Sequence, residues 1–294
     1  NILIILEVLM KSFFIEIKGV VQGVGFRPFV YTLALKYDIK GWVNNDEKGV
    51  NILLYACEEN IRKFINELKS NPPILAKIDS INIEEITEIK EYKTFEIIQS
   101  ESSKNKSTII SPDIAICDDC LNNIDDRANF RYSYSLTNCT NCGPRYSIIK
   151  TVPYDRINTS MFSFELCEKC KNEYENPTNR RYHAQPIACE NCGPNVVLYN
   201  NKNEVLSSDI TAIKEIAQEI NKGSIVAIKG MGGFHLICDA KNDNVVKELR
   251  IRKSRLNKPF AIMFKDINSI KNYTNLTQKE EELLNSKEKP IVLV

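Results

Sequence analysis

The chain has almost no net charge: 39 Lys and Arg against 38 Asp and Glu leave +1 over 294 residues. Charge alone therefore points to neither a nucleic-acid nor a membrane partner. Long hydrophobic runs are missing too. The apolar run at residues 2–10 is shorter than the roughly 20 residues that span a bilayer. It has no basic flank before it and no small-residue cleavage site after it, so it reads as a poor signal peptide. A chain without an export signal is expected in a reducing cytoplasm, where paired cysteines are more often metal ligands than disulfides. Met10 precedes the first motif-bearing segment, so residues 1–9 are expected to lie upstream of the natural start.

The remaining composition is that of globular domains. Hydrophobic residues make up 43% and charged residues 26%, and the length suits two or three domains.

Cysteine is abundant. Eight of ten fall into Cys-x-x-Cys pairs: Cys117/Cys120, Cys139/Cys142, Cys167/Cys170 and Cys189/Cys192. Eighteen residues separate the pairs within each half, and the halves are offset by 50. The repeat extends beyond cysteine. Arg131-Tyr132 matches Arg181-Tyr182, and Asn-Cys-Gly-Pro recurs at 141–144 and 191–194, so the module is duplicated. Two thiolates on one tight turn reach a single Zn²⁺, and a second such turn completes the tetrahedron. An all-sulfur set leaves no position for a reactive water, so the two expected Zn²⁺ ions are structural. Consecutive pairing gives each half its own ion. Interleaved pairing, first with fourth and second with third, stays open. His183 lies inside the second loop, but four cysteines already suffice. Cys57 and Cys238 sit alone in apolar contexts and read as core residues.

Residues 13–18 alternate as a strand. A glycine-rich loop follows at 20–26, then Arg27-Pro28, with helical apolar spacing over 29–37. Residues 41–43 and 50–55 read as a hairpin, 59–70 as an amphipathic helix, and 79–85 and 95–98 as strands. The order βαββαβ is the ferredoxin-like plan, within an α+β fold class. Gly23, Val24, Gly25 and Phe26 form an anion cradle at a helix start, where backbone N–H groups point inward. Arg27 supplies a bidentate charge for phosphoryl oxygens. No Gly-Lys-Ser/Thr ending follows, so this is not a Walker A loop.

Residues 19–27 with Gly-Trp-Val-Asn-Asn at 41–45 closely resemble the acylphosphatase family. The resemblance covers about 90 residues. It implies that Arg27 binds the acyl phosphate and that Asn45 positions the attacking water, in a hydrolysis without metal or covalent intermediate.

In the last third, 207–209 precede a helix that runs to about 221, 225–228 reads as a buried strand, 229–236 as a second glycine-rich loop, 243–250 as a helix and 260–264 as a strand. Residues 223–236 and 249–259 are similar to the YrdC/Sua5 family of ATP-dependent adenylate-forming domains. That similarity implies nucleotide binding by Lys229, Arg250, Arg252, Arg255 and Lys258. His235 reads as pocket wall.

Three parts thus follow one another: an acylphosphatase-like domain (11–100), a duplicated zinc-finger region (101–200, with modules at 117–142 and 167–192) and the N-terminal part of a YrdC-like α/β domain (205–294). The order resembles the hydrogenase maturation carbamoyltransferase family, and Pro-Tyr-Asp-Arg at 153–156 and Arg-Arg-Tyr-His-Ala-Gln-Pro at 180–186 resemble its zinc region. The resemblance implies hydrolysis of carbamoyl phosphate to carbamate. The full-length protein would then adenylate carbamate with ATP, with Mg²⁺ as its companion ion. It would pass the carbamoyl group to the C-terminal cysteine of a HypE-like maturation protein, toward the cyanide ligand of NiFe hydrogenase. The chain is expected to stop inside the YrdC-like domain and to hydrolyse acyl phosphates without carbamoylating a partner. Two other readings stand beside this one: a stand-alone acylphosphatase with structural zinc modules, and a nucleic-acid-binding zinc protein.

Overall fold

The structure is a computed structural model that describes residues 10–87, 91–98, 110–255 and 257–294. The segment 1–9, and with it the expectation about the natural start, lies outside the described residues. The first elements in chain order are β1 (Met10–Val20), α1 (Phe26–Lys36), β2 (Lys40–Asn45), β3 (Val50–Cys57), α2 (Glu58–Ser70), β4 (Lys77–Ile86) and β5 (Phe95–Ile97). Helices α3 (Asp118–Asp125) and α4 (Glu168–Glu175) open the two cysteine modules. Then come β6 (Val197–Tyr199), β7 (Val205–Ser208), α5 (Asp209–Asn221), β8 (Val226–Gly230), β9 (Gly233–Ile237), α6 (Asp243–Arg252), α7 (Ile267–Lys271) and α8 (Gln278–Asn285). The chain divides into two compact units. One holds residues up to Asp113 together with Thr137–Gly193, and the other holds Ile114–Leu136 with Pro194–Val294.

In the first unit, strands β1 to β5 form one sheet in the order β4-β1-β3-β2-β5. The first four are antiparallel to their neighbours, and β5 adds to β2 in parallel. Period-two alternation turns Ile15 and Ile17 of β1 and Val50, Ile52, Leu54 and Ala56 of β3 toward the helices. Helix α1 meets them with Phe26, Val30, Leu33 and Ala34, and α2 with Ile61, Phe64 and Leu68. These spacings of three and four place one apolar stripe on the sheet. Each large aliphatic or aromatic side chain buried there contributes roughly 1.5–3 kcal/mol. The βαββαβ expectation matches this sheet, and the strand read at 95–98 is the short β5 beside β2.

Helix α1 starts at Phe26, three residues before the apolar run suggests. Its N-cap is Gly25 at φ 75°, which makes no side-chain cap. A Ser, Asp or Asn would have marked that start in sequence, and glycine does not.

The second unit is built of hairpins and helices. Strands β6 and β7 pair antiparallel, as do β8 and β9. Ile114, Ala212, Leu249 and Ile270 are its buried aliphatic residues among those described. Two expectations change here. The glycine-rich stretch 229–236 is not an open loop: Lys229 pairs with Phe234 and Gly230 with Gly233, so it is the tight turn of the β8–β9 hairpin. The run 260–264 forms no strand, because none of the described residues pairs with it in a ladder. No described helix is long and apolar enough to cross a membrane.

Candidate active site and cysteine clusters

The loop between β1 and α1 carries the cradle. Gly23 (φ 71°) and Gly25 (φ 75°) take left-handed backbone that L side chains rarely adopt. A Cβ at Gly23 would also press on Arg145 and Tyr154, and one at Gly25 on Thr140. Val24 and Phe26 are buried in the core, so they anchor the loop while the glycines face outward. Gln22, fully buried, holds the loop in place. Its Nε2 donates to the carbonyls of Asp46 (2.7 Å) and Gly49 (2.8 Å), in the β2–β3 turn. Its Oε1 accepts from the backbone N–H of Tyr154 at 2.9 Å.

An open cleft lies over this loop. Gly23, Gly25, Phe26, Arg27 and Asn45 line it from the sheet domain. Thr140, Arg145, Tyr154, His183 and Gln185 line it from the cysteine region of the same unit. The structure therefore brings Arg27, Asn45 and the glycine loop together. Val24 contributes backbone alone. Asn45 lines the cleft, whereas its neighbour Asn44 is buried elsewhere with its side-chain amide unpartnered.

Arg27 is nearly buried in the first turn of α1. Its Nη2 pairs with Asp155 at 2.7 Å and donates to the Tyr154 carbonyl at 3.3 Å. Removing one partner from a charge pair this enclosed costs more than a surface bridge would. Arg145 is more deeply buried. Its guanidinium donates to the carbonyls of Cys139 (3.1 Å), Thr140 (2.8 Å), Cys142 (3.0 Å) and Pro144 (2.9 Å), and also to Gly23 of the cradle. One side chain thus ties a cysteine knuckle to the phosphate loop. Burial pushes the Tyr154 hydroxyl up to about 12. It pushes the His183 imidazole down to about 4, with the Arg27 charge adding to the effect, so the ring is neutral at pH 7.

Sequence reasoning missed Gln22, Arg145, Tyr154, Asp155 and Gln185. A buried glutamine inside a glycine loop was a visible signal. The others come from more than a hundred residues away. Tyr154, Asp155 and Gln185 stand in the segments 153–156 and 180–186 that the family resemblance singled out, but nothing in the sequence placed them beside the loop.

Cys167, Cys170, Cys189 and Cys192 converge so that all four Sγ atoms lie within 4.8 Å of one another. Cys167 Sγ is 3.6 Å from Cys189 and Cys189 is 3.7 Å from Cys192. A tetrahedron with Zn–S bonds of about 2.3 Å has edges of about 3.8 Å, so this donor set fits zinc. Third and fourth Cys-x-x-Cys turns therefore share a site, and the interleaved pairing is excluded. In the other module, Cys139 and Cys142 are 3.8 Å apart, and Cys117 and Cys120 open α3 as Cys167 and Cys170 open α4. His183 is not needed as a ligand.

In the second unit the basic residues divide. Arg250 donates to the carbonyls of Arg255 (3.2 Å) and Lys258 (3.0 Å), and Arg250 and Arg255 both stack on Phe260. Arg250 in the last turn of α6 thus meets Arg255 and Lys258 of the segment that follows the helix. Arg252 instead pairs with Glu248 at 2.6 Å on the exposed helix face, and Lys229 lies over Phe234 on the β8–β9 hairpin.

Comparison with known proteins accords with these parts. The acylphosphatase family matches residues 13–97, the HypF finger family matches 116–149 and 166–199, and the telomere recombination family (Sua5, YciO, YrdC) matches 218–294. A probable carbamoyltransferase HypF from Methanocaldococcus jannaschii is 50% identical over 281 residues, covering 95% of this chain and 36% of the relative. The carbamoyltransferase HypF of Synechocystis is 44% identical, covering 97% of this chain and 37% of the relative. The chain thus spans about a third of the length of these curated relatives. An acylphosphatase of Listeria monocytogenes is 41% identical over 85 residues, 91% of its own length. Among solved structures, a full-length HypF in a phosphate- and nucleotide-bound form superposes with TM-score 0.87 at 46% identity, over 95% of this chain and 36% of that one.

Proposed function

We propose that this chain, which belongs to the HypF carbamoyltransferase family, hydrolyses carbamoyl phosphate to carbamate and phosphate in the cleft above its first glycine loop. The observation that carries this reading is the convergence of Arg27, Asn45 and the outward-facing Gly23–Gly25 backbone on one cleft. The phosphoryl group sits on the N–H groups at the start of α1, where the helix dipole and uncapped donors favour an anion. Arg27 receives two phosphoryl oxygens as a planar fork. Asn45 holds the attacking water. The water oxygen bonds to phosphorus, the bond from phosphorus to the carbamoyl oxygen breaks, and carbamate leaves with that electron pair. The water's protons pass to phosphate and solvent. Positioning and charge stabilisation suffice for such a step.

The remaining steps are proposed for the whole protein. The segment bearing Arg250, Arg255 and Lys258, with Lys229 and Arg252, binds the phosphates of ATP, accompanied by Mg²⁺, and carbamate becomes carbamoyl adenylate. The carbamoyl group then passes to the C-terminal cysteine of a HypE-like maturation protein. The nucleotide-bound relative supports ATP use. The cysteine quartets hold two structural zinc ions that rigidify the cleft wall, and reduced thiols of this kind suit the cytoplasm.

Phosphate release from carbamoyl phosphate tests the hydrolase site. Arg27→Ala should lower kcat/KM about 1,000-fold, the scale of one lost charge-stabilising group at such a site. Asn45→Ala should lower kcat with little change in KM. Wild-type turnover in Arg27→Ala would remove the assignment.

A further inference from the structure

The cleft contains one chemically versatile side chain to which the hydrolysis just described gives no task. His183 of the second cysteine module lines the cleft together with Arg27 and Asn45. Its ring is held on two sides. Tyr174 lies 5.0 Å away, centroid to centroid, and Tyr182 meets it edge-on at 4.6 Å. Tyr182 in turn packs against Tyr31 of α1 at 5.5 Å, which fixes the wall to the sheet domain. The imidazole nitrogens make no hydrogen bond to any described residue, although the ring is oriented and largely enclosed. The quartet Cys167, Cys170, Cys189 and Cys192 is complete without it.

The duplication provides an internal control. The equivalent position in the first module is Ser133. Both residues have left-handed backbone, φ 60° at Ser133 and 52° at His183. Both donate a backbone N–H to the same place in their module, Ser133 to Ile124 and His183 to Tyr174. The unusual backbone therefore belongs to the module's fold, and the imidazole does not. What distinguishes the second copy is a ring placed beside Arg27 and Asp155.

We propose that His183 is a substrate-binding residue that reads the acyl end of the acyl phosphate held in the cradle. This rests on the hydrolase reading of that cleft. A neutral imidazole offers one N–H donor and one lone-pair acceptor. Its two nitrogens point to opposite sides of the ring, so one of them faces the acyl end, and as the lone-pair acceptor it takes a hydrogen bond from the carbamoyl N–H. An acetyl group carries a methyl in place of that N–H and would leave the acceptor nitrogen facing an apolar group. Sites built to hydrogen-bond a substrate N–H discriminate against analogues that lack it. His183 accordingly sets a preference for carbamoyl over acetyl phosphate, with Arg27 supplying the phosphate affinity common to both.

The zinc-loaded 294-residue chain allows a direct test. In His183→Phe, which keeps an aromatic ring between the tyrosines, kcat/KM for carbamoyl phosphate should fall about 10- to 100-fold, the scale of one lost hydrogen bond that leaves its partner unsatisfied. For acetyl phosphate it should fall less, so the carbamoyl-to-acetyl ratio drops. His183→Asn keeps a donor, an acceptor and a tolerance for left-handed backbone, and should recover part of the ratio. An unchanged ratio in folded His183→Phe overturns the proposal while Arg27→Ala remains inactive. Wild-type turnover in Arg27→Ala overturns the hydrolase reading itself. A second measurement needs no substitution at 183. The chain has two histidines, His183 and His235, so imidazole ¹⁵N resonances are assigned with one His235→Gln variant. Titrating phosphonoacetamide, a non-hydrolysable carbamoyl phosphate analogue, should shift the His183 ring nitrogens saturably and leave His235 unmoved. Binding of that analogue with no change at His183 would contradict the proposal.

Discussion

The two cysteine modules share what binds metal and differ in what faces the cleft. Each begins a short helix at its first cysteine, α3 in one and α4 in the other. Each buries an arginine at the same offset, Arg131 and Arg181. They part company at 133–136 and 183–186, Ser-Tyr-Ser-Leu against His-Ala-Gln-Pro, and at Arg145 against Asn195. The residues His183, Ala184, Gln185 and Pro186 all line the cleft, as does Arg145. Duplication thus supplied two cysteine modules of like fold, and the contacts to the glycine loop sit at positions where the copies diverged.

The largest expected effect comes from removing the support. Cys189→Ser should reduce zinc content from two equivalents to one and lower hydrolysis of carbamoyl phosphate at least 100-fold. A structural site's binding free energy is folding free energy, and here it also shapes the wall that pairs with Arg27. Metal analysis and phosphate release on one preparation check both parts. If turnover survived loss of the second zinc, that module would not be a wall of the site.

A smaller effect separates Arg145 from its counterpart. Arg145→Ala leaves five backbone carbonyls without their donor and frees the Gly23 carbonyl that shapes the cradle. Denaturant unfolding should show a loss of about 3–5 kcal/mol. Asn195→Ala should stay within about 0.5 kcal/mol, as exposed substitutions generally do. Equal effects at both positions would erase the distinction between the copies.

Acid titration sharpens the contrast between His183 and Ser133. The folded imidazole is held down to about 4 against an ordinary value of 6.5, first by burial and then by Arg27. A depressed folded value means that the stabilisation is complete above pH 6.5 and is lost as pH falls toward 4. By pH 5 the loss amounts to about 2 kcal/mol. His183→Ser, which copies the first module, should abolish that part of the slope in unfolding measurements from pH 7 to 5. The smallest effect is expected far from the cleft. Arg252→Ala removes an exposed pair with Glu248 and should leave carbamoyl phosphate hydrolysis within about twofold, since surface pairs of this kind contribute little.

Much of this was legible in sequence where periodicity or repetition recorded it. The alternation at Ile15 and Ile17 and the spacing of Ile61, Phe64 and Leu68 mark the sheet and α2, because burial of one face imposes those periods. The offset of 50 residues marks the cysteine quartets. The glycine loop and Arg27 were visible as chemistry. The wall was not, because Tyr154 and Arg27 are 127 residues apart and no periodic signal links them. Pro28 falls in the first turn of α1 as read, although Gly25 caps the helix with backbone geometry alone and gives its first residue no side-chain signal. The apolar run 260–264 has strand composition, yet strand formation requires a ladder partner, and the described residues provide none.

The central claim is that the cradle of Gly23–Arg27 holds the phosphoryl group while water, placed by Asn45, attacks phosphorus. Hydrolysis of carbamoyl phosphate in ¹⁸O-labelled water, followed by mass analysis of the phosphate, reads this step. After subtraction of spontaneous breakdown, each phosphate released by the protein should carry one solvent oxygen. Unlabelled phosphate would place the attack on the carbamoyl carbon and contradict the arrangement of Arg27 and Asn45 described above.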